Sequence, residues 1–381
     1  MNKKDRKILI IDGNLFARKM FYKFGNLSSK IKFKYLEKFI PQITDRIIRE
    51  TFENNEEVIE IIDKNSGKII NLLESGKISR KLKDIIKKEG IQEDLITVET
   101  GVIYGILKSI ISIYKKYSIR KIIFCYDPIT DKSTHLRISI DEEYKVSRIP
   151  DKDNENKIKE NENFFKQLFI AQNILKYLGV EQVWTKSFEA DDLIHYFSKV
   201  AFKNEKCLLL TSDHDIFQCI DDNNGILIIG DRNTVYTRKN FIEEYKIDPS
   251  KLRDIMSLSG CSGDDVPGIK GIGKKTAIEL IKNSGSLKNL LQNLEKLKIS
   301  PKIKEKLLED KRNGFKVIRK TRKLISLYGK HPLLKKEIFL NKISKEFLDS
   351  KKFIEILKML RFKSILNKEE IEIIESIIKY Q

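Results

Sequence analysis

KILIID (Lys7–Asp12) is a run of branched apolar residues that ends on an aspartate, and it has two companions, KIIFCYD (Lys121–Asp127) and CLLLTSD (Cys207–Asp213). A strand that is apolar at nearly every position has no wet face, so it belongs in a sheet covered on both sides. The intervening segments carry helical periodicity, as in VIYGILKSIISIYKKY (Val102–Tyr117) and FFKQLFIAQNILKYLG (Phe164–Gly179). Weaker strands are expected at Glu181–Trp184, Ile226–Gly230 and Asn233–Thr237. Strands alternating with helices predict an α/β fold with a parallel sheet. Ligands of such sheets bind beyond the carboxyl ends of the strands, where the three aspartates stand.

Asp12, Asp127, Asp213 and Asp215 end strands or follow them closely, and FEADDLIHYF (Phe188–Phe197) adds Glu189, Asp191 and Asp192. Glu189 and Asp192 are three apart and share a face of a helix. Taken singly, a strand-end aspartate is a helix N-cap, and acids in a first helical turn are favourable charge. Taken together on one sheet edge, carboxylates within ~5 Å repel by a few kcal/mol per pair at an effective dielectric of about 20. Either some protonate or cations hold them together. All-oxygen ligands select Mg²⁺ or Mn²⁺, and shared carboxylates suggest two ions. Two ions on a phosphate give in-line displacement by an activated water. Histidine is not needed for this, and His214, between Asp213 and Asp215, reads as structural.

Net charge is +19 over 381 residues, and it is uneven: residues 301–381 hold 22 lysines and arginines against 11 acids. KRNGFKVIRKTRK (Lys311–Lys323) has seven basic residues and no acidic one. One such run alone is a solvated helix face; an excess spread over the whole C-terminal part favours a polyanion. Residues 35–98, with 11 basic and 13 acidic side chains, read as a helix-prone insertion. Residues 136–163 are polar and read as a mobile excursion. After Asp248 the pattern reads as wholly helical. No run of eighteen apolar residues is present, so no membrane span is expected. The start of the chain lacks a signal peptide's apolar core. The four cysteines show no CxxC spacing, which favours free thiols in a cytoplasmic protein.

The stretch SGCSGDDVPGIKGIGKKTA (Ser259–Ala277) packs five glycines around two aspartates and a lysine pair. Gly271-Ile272-Gly273 permits a tight turn and leaves backbone N–H groups at the next helix start. Those donors, with Lys274 and Lys275, can hold a phosphate without reading sequence. The plainer reading is a glycine-rich αα corner.

With this stretch the chain resembles the 5′-nuclease family: bacterial and phage 5′→3′ exonucleases, the nuclease domain of bacterial DNA polymerase I, and flap endonucleases. The matching motifs are IIDGN (Ile10–Asn14), FCYD (Phe124–Asp127), EEYKVSR (Glu142–Arg148), EADD (Glu189–Asp192), TSDHD (Thr211–Asp215), GCSGDDVPGIKGIGKKTA (Gly260–Ala277) and LKMLRFKSIL (Leu357–Leu366). The resemblance implies a PIN-like α/β nuclease domain over residues 1–248, with 35–98 inserted and 136–163 as an arch. It implies an all-α helix-3-turn-helix (helix-hairpin-helix) region with C-terminal helices over 249–381. Carried over at matching positions, it implies a first metal site from Asp12, Asp127, Glu189 and Asp191. The second would use Asp192, Asp213, Asp215 and Asp264. Two Mg²⁺ ions are expected, with Mn²⁺ as a substitute. Lys145 and Arg148 would contact the scissile phosphate, as would Arg18 or Lys19, and Tyr144 would stack on a base. Gly268, Gly271, Gly273, Lys274 and Lys275 would hold the duplex backbone. Some relatives bind a monovalent cation on this hairpin, and the same is an open expectation here.

The implied activity is a Mg²⁺-dependent, structure-specific 5′→3′ exonuclease or flap endonuclease. It would act as a monomer on DNA with a 5′ flap, a nick or an RNA primer, in replication and repair. Residues 35–98 would meet a replication partner or lengthen the helical cap. The family pattern G-D-x-S-D-N-I-P-G is broken at two positions. Cys261 replaces the first aspartate and, as a poor Mg²⁺ ligand, removes a contributor from the second site. Asp265 replaces the asparagine and compensates only if it turns inward. Cys261 motivates the alternative, a DNA-binding family member with weakened or lost catalysis.

Overall fold

A computed structural model describes residues 7–32, 95–128, 135–148, 154–228, 235–297, 299–340 and 348–380. The chain forms two compact units. The first takes Met1–Phe16, Ser118–Lys159 and Glu181–Lys342; the second takes Ala17–Tyr117, Glu160–Val180 and Ile343–Gln381.

The first unit is built on a seven-stranded sheet. Its strands are β1 (Lys7–Asp12), β4 (Ile119–Cys125), β5 (Glu181–Trp184), β6 (Cys207–Thr211), β7 (Asn224–Ile228), β8 (Val235–Tyr236) and β11 (Phe339–Leu340), in the order β11-β5-β4-β1-β6-β7-β8. The five inner strands pair in parallel. β8 and β11 close the two edges antiparallel, so the stretch after Asp248 contributes strand as well as helix. Ile8, Leu9, Ile10, Ile11, Ile122, Ile123 and Phe124 are all fully buried, which is what a two-sided parallel core demands. Register decides the rest. Asp12 pairs with Cys125 and Ile11 pairs with Leu210. The carboxyl ends of β4, β1 and β6 therefore lie level, and Asp12, Asp127 and Asp213 leave the sheet at one edge.

The helical part of this unit sits on helix Leu252–Ser259, whose face Leu252, Ile255, Met256 and Leu258 is buried. The chain then reverses through the short antiparallel ladder of β9 (Gly260–Cys261) and β10 (Val266–Pro267) before helix Lys274–Ser284. Two glycines are required here. A Cβ on Gly268 would lie 2.3 Å from the carbonyl carbon of Ser259, and Gly271 has φ +88°. Buried Ile269 and Ile272 anchor the turn between them. The basic helix Lys316–Ile325 buries Ile318, Thr321, Leu324 and Ile325 and leaves Lys316, Arg319 and Lys323 exposed.

The second unit contains a hairpin of β2 (Ser28–Lys32) and β3 (Leu95–Glu99), with helices that include Gly101–Lys116, Ser350–Met359 and Lys368–Tyr380. Its buried polar groups are paired. Gln167 accepts the Val102 N–H at 3.0 Å and donates to the Gly25 carbonyl at 2.8 Å, and Ser29 donates to the Leu360 carbonyl at 2.6 Å. The Arg18 guanidinium lies 3.5 Å over the Phe164 ring in the same unit. The predicted helical insertion 35–98 falls mostly outside the described residues. Its end does not follow the expectation, because residues 95–98 are strand, drawn into pairing with β2.

Residues 136–148 also differ from a mobile excursion. They form a helix, Leu136–Ile140, and a 3₁₀ turn, Val146–Arg148, with Arg137, Asp141 and Tyr144 buried. Gly268→Ala is expected to lower unfolding stability by about 1–3 kcal/mol through backbone overpacking. Gly271→Ala should cost about 1–2 kcal/mol for its left-handed backbone. Urea unfolding of the two variants measures both, and a neutral Gly268→Ala would contradict the close approach.

Candidate active site

Each strand end presents its acid through a local hydrogen bond. Asp12 accepts the Leu15 N–H at 3.1 Å, as a cap of the helix that follows β1, and its other oxygen accepts the Thr211 hydroxyl at 3.1 Å. Thr211 in turn accepts the Asp213 N–H at 3.0 Å, and Asp213 accepts the Asp215 N–H at 2.8 Å. Asp127 receives the Ala190 N–H at 3.0 Å, which brings the start of helix Ala190–Tyr196 to the same edge. The N-cap reading holds for Asp12 alone; Asp127 receives the N–H of a distant helix start and Asp213 closes a local turn, and each of these bonds aims its acid.

The acids crowd. Burial and the charge of Asp127 and Asp213 raise Asp12 to about 7. Burial, Asp213 and Asp264 raise Asp215 to about 7. Burial raises Asp127, with Glu189 adding to it, and carries Asp191 well above the carboxylate range, with Asp213 and Asp12 adding. Asp264 is also raised, by burial first. Carboxyls pushed this way are short of positive charge. A donor set made mainly of carboxylates fits hard divalent cations.

Three cations lie among them. Lys145 donates to Glu189 at 2.9 Å, and Arg148 is ion-paired with Asp264 and donates to the Gly263 carbonyl at 3.0 Å. The third, Arg137, escaped the sequence reading. It is 4% exposed and uses all five of its N–H donors. Two go to the Asp192 carboxylate at 2.7 and 2.9 Å, one to Glu189 at 3.0 Å, and two to the carbonyls of Leu324 and Ser326, each at 2.8 Å. The signal available was an arginine enclosed by Leu136, Ile138 and Ile140 in a five-residue helix.

Arg137 corrects two expectations. Asp192 is fully buried and committed to Arg137, to the Tyr328 N–H at 2.7 Å and to the Glu189 N–H at 3.2 Å, so its oxygens are taken away from the acid cluster. Glu189 keeps its place but not as an open carboxylate. Burial opposes its charge, yet Lys145 and Arg137 bring it down to about 2. Tyr144 is likewise corrected as a base-stacking residue. It is 5% exposed, and its hydroxyl donates to Glu189 at 3.0 Å.

The departures from the family pattern resolve differently. Asp265 turns away from the cluster, accepting the Ser147 N–H at 2.8 Å, and so does not stand in for the missing aspartate. Cys261 does reach the site. One donor atom each from Asp215, Cys261 and Asp264 lie within 4.8 Å of one another. Burial and these two acids push the Cys261 thiol up to about 12. Lys274 and Lys275 are exposed at the start of their helix, where they can meet an anion, while Gly268 serves the packing of the turn.

Two outcomes are expected. Replacing Arg137 with methionine strands the Asp192 carboxylate and should cost about 3–5 kcal/mol, with the Arg137→Met, Asp192→Leu pair recovering much of the loss in denaturant unfolding. The raised Asp215 binds its proton more tightly folded than unfolded, so its contribution to stability falls as pH rises from about 4 to about 7. Without metal, Asp215→Asn should therefore melt higher than the parent chain at about pH 7.5, and the gap should close by about pH 4. A parent chain at least as stable as the variant at neutral pH would contradict the crowding.

Comparison with known proteins agrees with this geometry. Residues 86–246 match a family model described as 5′-3′ exonuclease, N-terminal resolvase-like domain, and residues 247–343 match the 5′-3′ exonuclease, C-terminal SAM fold. A 5′-3′ exonuclease of Buchnera aphidicola is 34% identical over 206 residues, covering 53% of this chain and 67% of the relative. One from Aquifex aeolicus is 31% identical over 213 residues, covering 55% and 69%. Thermostable DNA polymerase I of Thermus thermophilus is 30% identical over 57% of this chain, which spans 25% of that protein. Among solved structures, T5 5′-exonuclease with bound divalent metal ions (zinc) superposes with a TM-score of 0.55 at 14% identity, over 98% of this chain and 99% of that one. Bacteriophage T5 flap endonuclease, in a pseudo-enzyme-product complex with DNA and metal ions, does so at 0.55 and 15%, over the same shares. These last two speak to the fold. With the two family models joined end to end over 86–343 and the curated relatives above, the chain belongs to the 5′-3′ exonuclease family of nucleases.

Proposed function

We propose that the chain is a Mg²⁺-dependent, structure-specific 5′→3′ exonuclease and flap endonuclease that hydrolyses phosphodiester bonds near 5′ ends of DNA, RNA primers included. The observation that carries this reading is the gathering of carboxyls at one sheet edge, with Lys145 and Arg148 among them. Asp12, Asp127 and Asp191, with Glu189 beside them, would hold one divalent ion, and Asp213, Asp215 and Asp264 a second. Bound there, the ions supply an activated water and charge stabilisation for the leaving oxygen. The protein's own cations do the rest. Lys145 and Arg148 are paired with Glu189 and Asp264, and a scissile phosphate is a competing partner of the same charge. Lys274 and Lys275, with the helix start behind Gly273, would take a backbone phosphate of the duplex away from the cut. The exposed Lys316, Arg319 and Lys323 add to the polyanion surface.

Cleavage of a 5′-flap substrate with Mg²⁺ or Mn²⁺ tests the reading. Asp12→Ala should abolish cutting and leave flap binding nearly unchanged. Lys145→Ala should lower kcat by about 10²–10³-fold, the usual scale for losing one preorganised donor to a developing charge. Protein that binds the flap but leaves it intact with either ion would favour the alternative of a DNA-binding relative without catalysis.

A further inference from the structure

We propose that Cys261 is itself a metal ligand, and that Asp215, Cys261 and Asp264 form a mixed thiolate–carboxylate site that takes a borderline divalent ion such as Zn²⁺ or Co²⁺ ahead of Mg²⁺. This deepens the metal-dependent reading above and rests on it, but it reverses the expectation that cysteine merely removes a ligand.

The backbone presents the three donors together. Cys261 is paired with Val266 across the β9–β10 ladder, and the 3₁₀ turn Ser262–Asp264 brings Asp264 back over it. Asp215 is held by its own N–H to Asp213. The three donor atoms lie within 4.8 Å of one another. Donors on one tetrahedral ion at zinc bond lengths stand about 3.3–3.8 Å apart, so side-chain rotation of roughly 1 Å closes the site. Asp215 and Cys261 line a cavity of about 300 Å³ together with His214, Tyr245 and Lys274, and Asp264 lies behind them.

The chemistry of the donors then sets the preference. Mg²⁺ needs a near-octahedral shell of hard oxygens and retains waters. Sulfur is soft, so replacing one oxygen by sulfur weakens Mg²⁺ and strengthens Zn²⁺ and Co²⁺. On binding, the ion displaces the thiol proton to solvent. The other three cysteines, Cys125, Cys207 and Cys219, are buried, so a thiolate–metal signal has one accessible source among the four.

Titration of the metal-free full-length protein with Co²⁺ tests this without any cleavage reaction. A near-ultraviolet thiolate-to-cobalt charge-transfer band should develop and saturate. Cys261→Ser should abolish the band and weaken Zn²⁺ binding, read by chelator competition, by about 10–100-fold or more, since even indirect loss of metal support has that scale. Mg²⁺ binding should not weaken with the serine and should improve with Cys261→Asp. No band in the parent protein at saturating Co²⁺, or an equal band in Cys261→Ser, overturns the proposal. The flap assay is separate: cutting without a cobalt–thiolate band refutes the cysteine ligand alone, and a band without cutting refutes the nuclease reading alone.

Discussion

Repulsion among carboxylates at the carboxyl edge of a parallel sheet is the constraint on which the first unit depends. The register of β4, β1 and β6 leaves no freedom about where Asp12, Asp127 and Asp213 emerge. Placing them on a core of fully buried isoleucines and leucines removes the water that would screen them. The helix Ala190–Tyr196 then adds Asp191 and Glu189, and the 260s turn adds Asp264. An arrangement that opposes its own stability in this way is what a cation-binding site requires, and it explains why acids that also cap helices are not adequately described as caps.

The three basic side chains divide by burial. Arg137 has no donor left to offer and acts as a fixed counter-charge. It ties Asp192 and Glu189 to the carbonyls that end the basic helix Lys316–Ile325. Arg148 is half exposed and Lys145 lies between the two extremes. An exposed ion pair contributes little to stability and exchanges partners cheaply, whereas breaking a buried one leaves an uncompensated charge. The same acid cluster therefore has one fully buried counter-charge, Arg137, and two basic partners that are less enclosed, Arg148 most of all. Glu189 is touched by both Arg137 and Lys145.

What was legible in the sequence follows from what is local. Apolar strands ending in aspartate declared the parallel sheet and the edge at which the aspartates gather, because strand period acts over a few residues. The face shared by Glu189 and Asp192 was also legible, but not which partner each would meet, since that depends on Arg137 some fifty residues earlier. Tyr144 stands in a polar stretch of sequence, and nothing local shows that its ring joins the buried core with its hydroxyl on Glu189. The polarity of 136–163 concealed a packed helix for the same reason, charged residues that find buried partners being indistinguishable in sequence from solvated ones. β8 falls inside the strand expected at Asn233–Thr237, whereas β3 and β11 went unread: they are short, and edge pairing draws on neighbours that no local pattern names.

The junction of residues 145–148 with the 260s turn shows how a family departure can be structurally silent at one position and chemically loud four residues away. Lys145 and Asp265 both have left-handed backbones, with φ of 57° and 56°, and they sit in adjoining turns: the Lys145 N–H donates to the Asp264 carbonyl at 3.1 Å, and Asp265 accepts the Ser147 N–H. Asparagine and aspartate are the non-glycine residues that tolerate this backbone best, and each offers an oxygen to Ser147. Exchange of one for the other at 265 therefore preserves both the turn and the clasp on the segment that carries Lys145 and Arg148. Cys261 is the opposite case. Its backbone is ordinary extended strand that any residue adopts, so the turn makes no conformational demand on the residue there. Its side chain packs partly buried against the core and has Asp215 and Asp264 for neighbours.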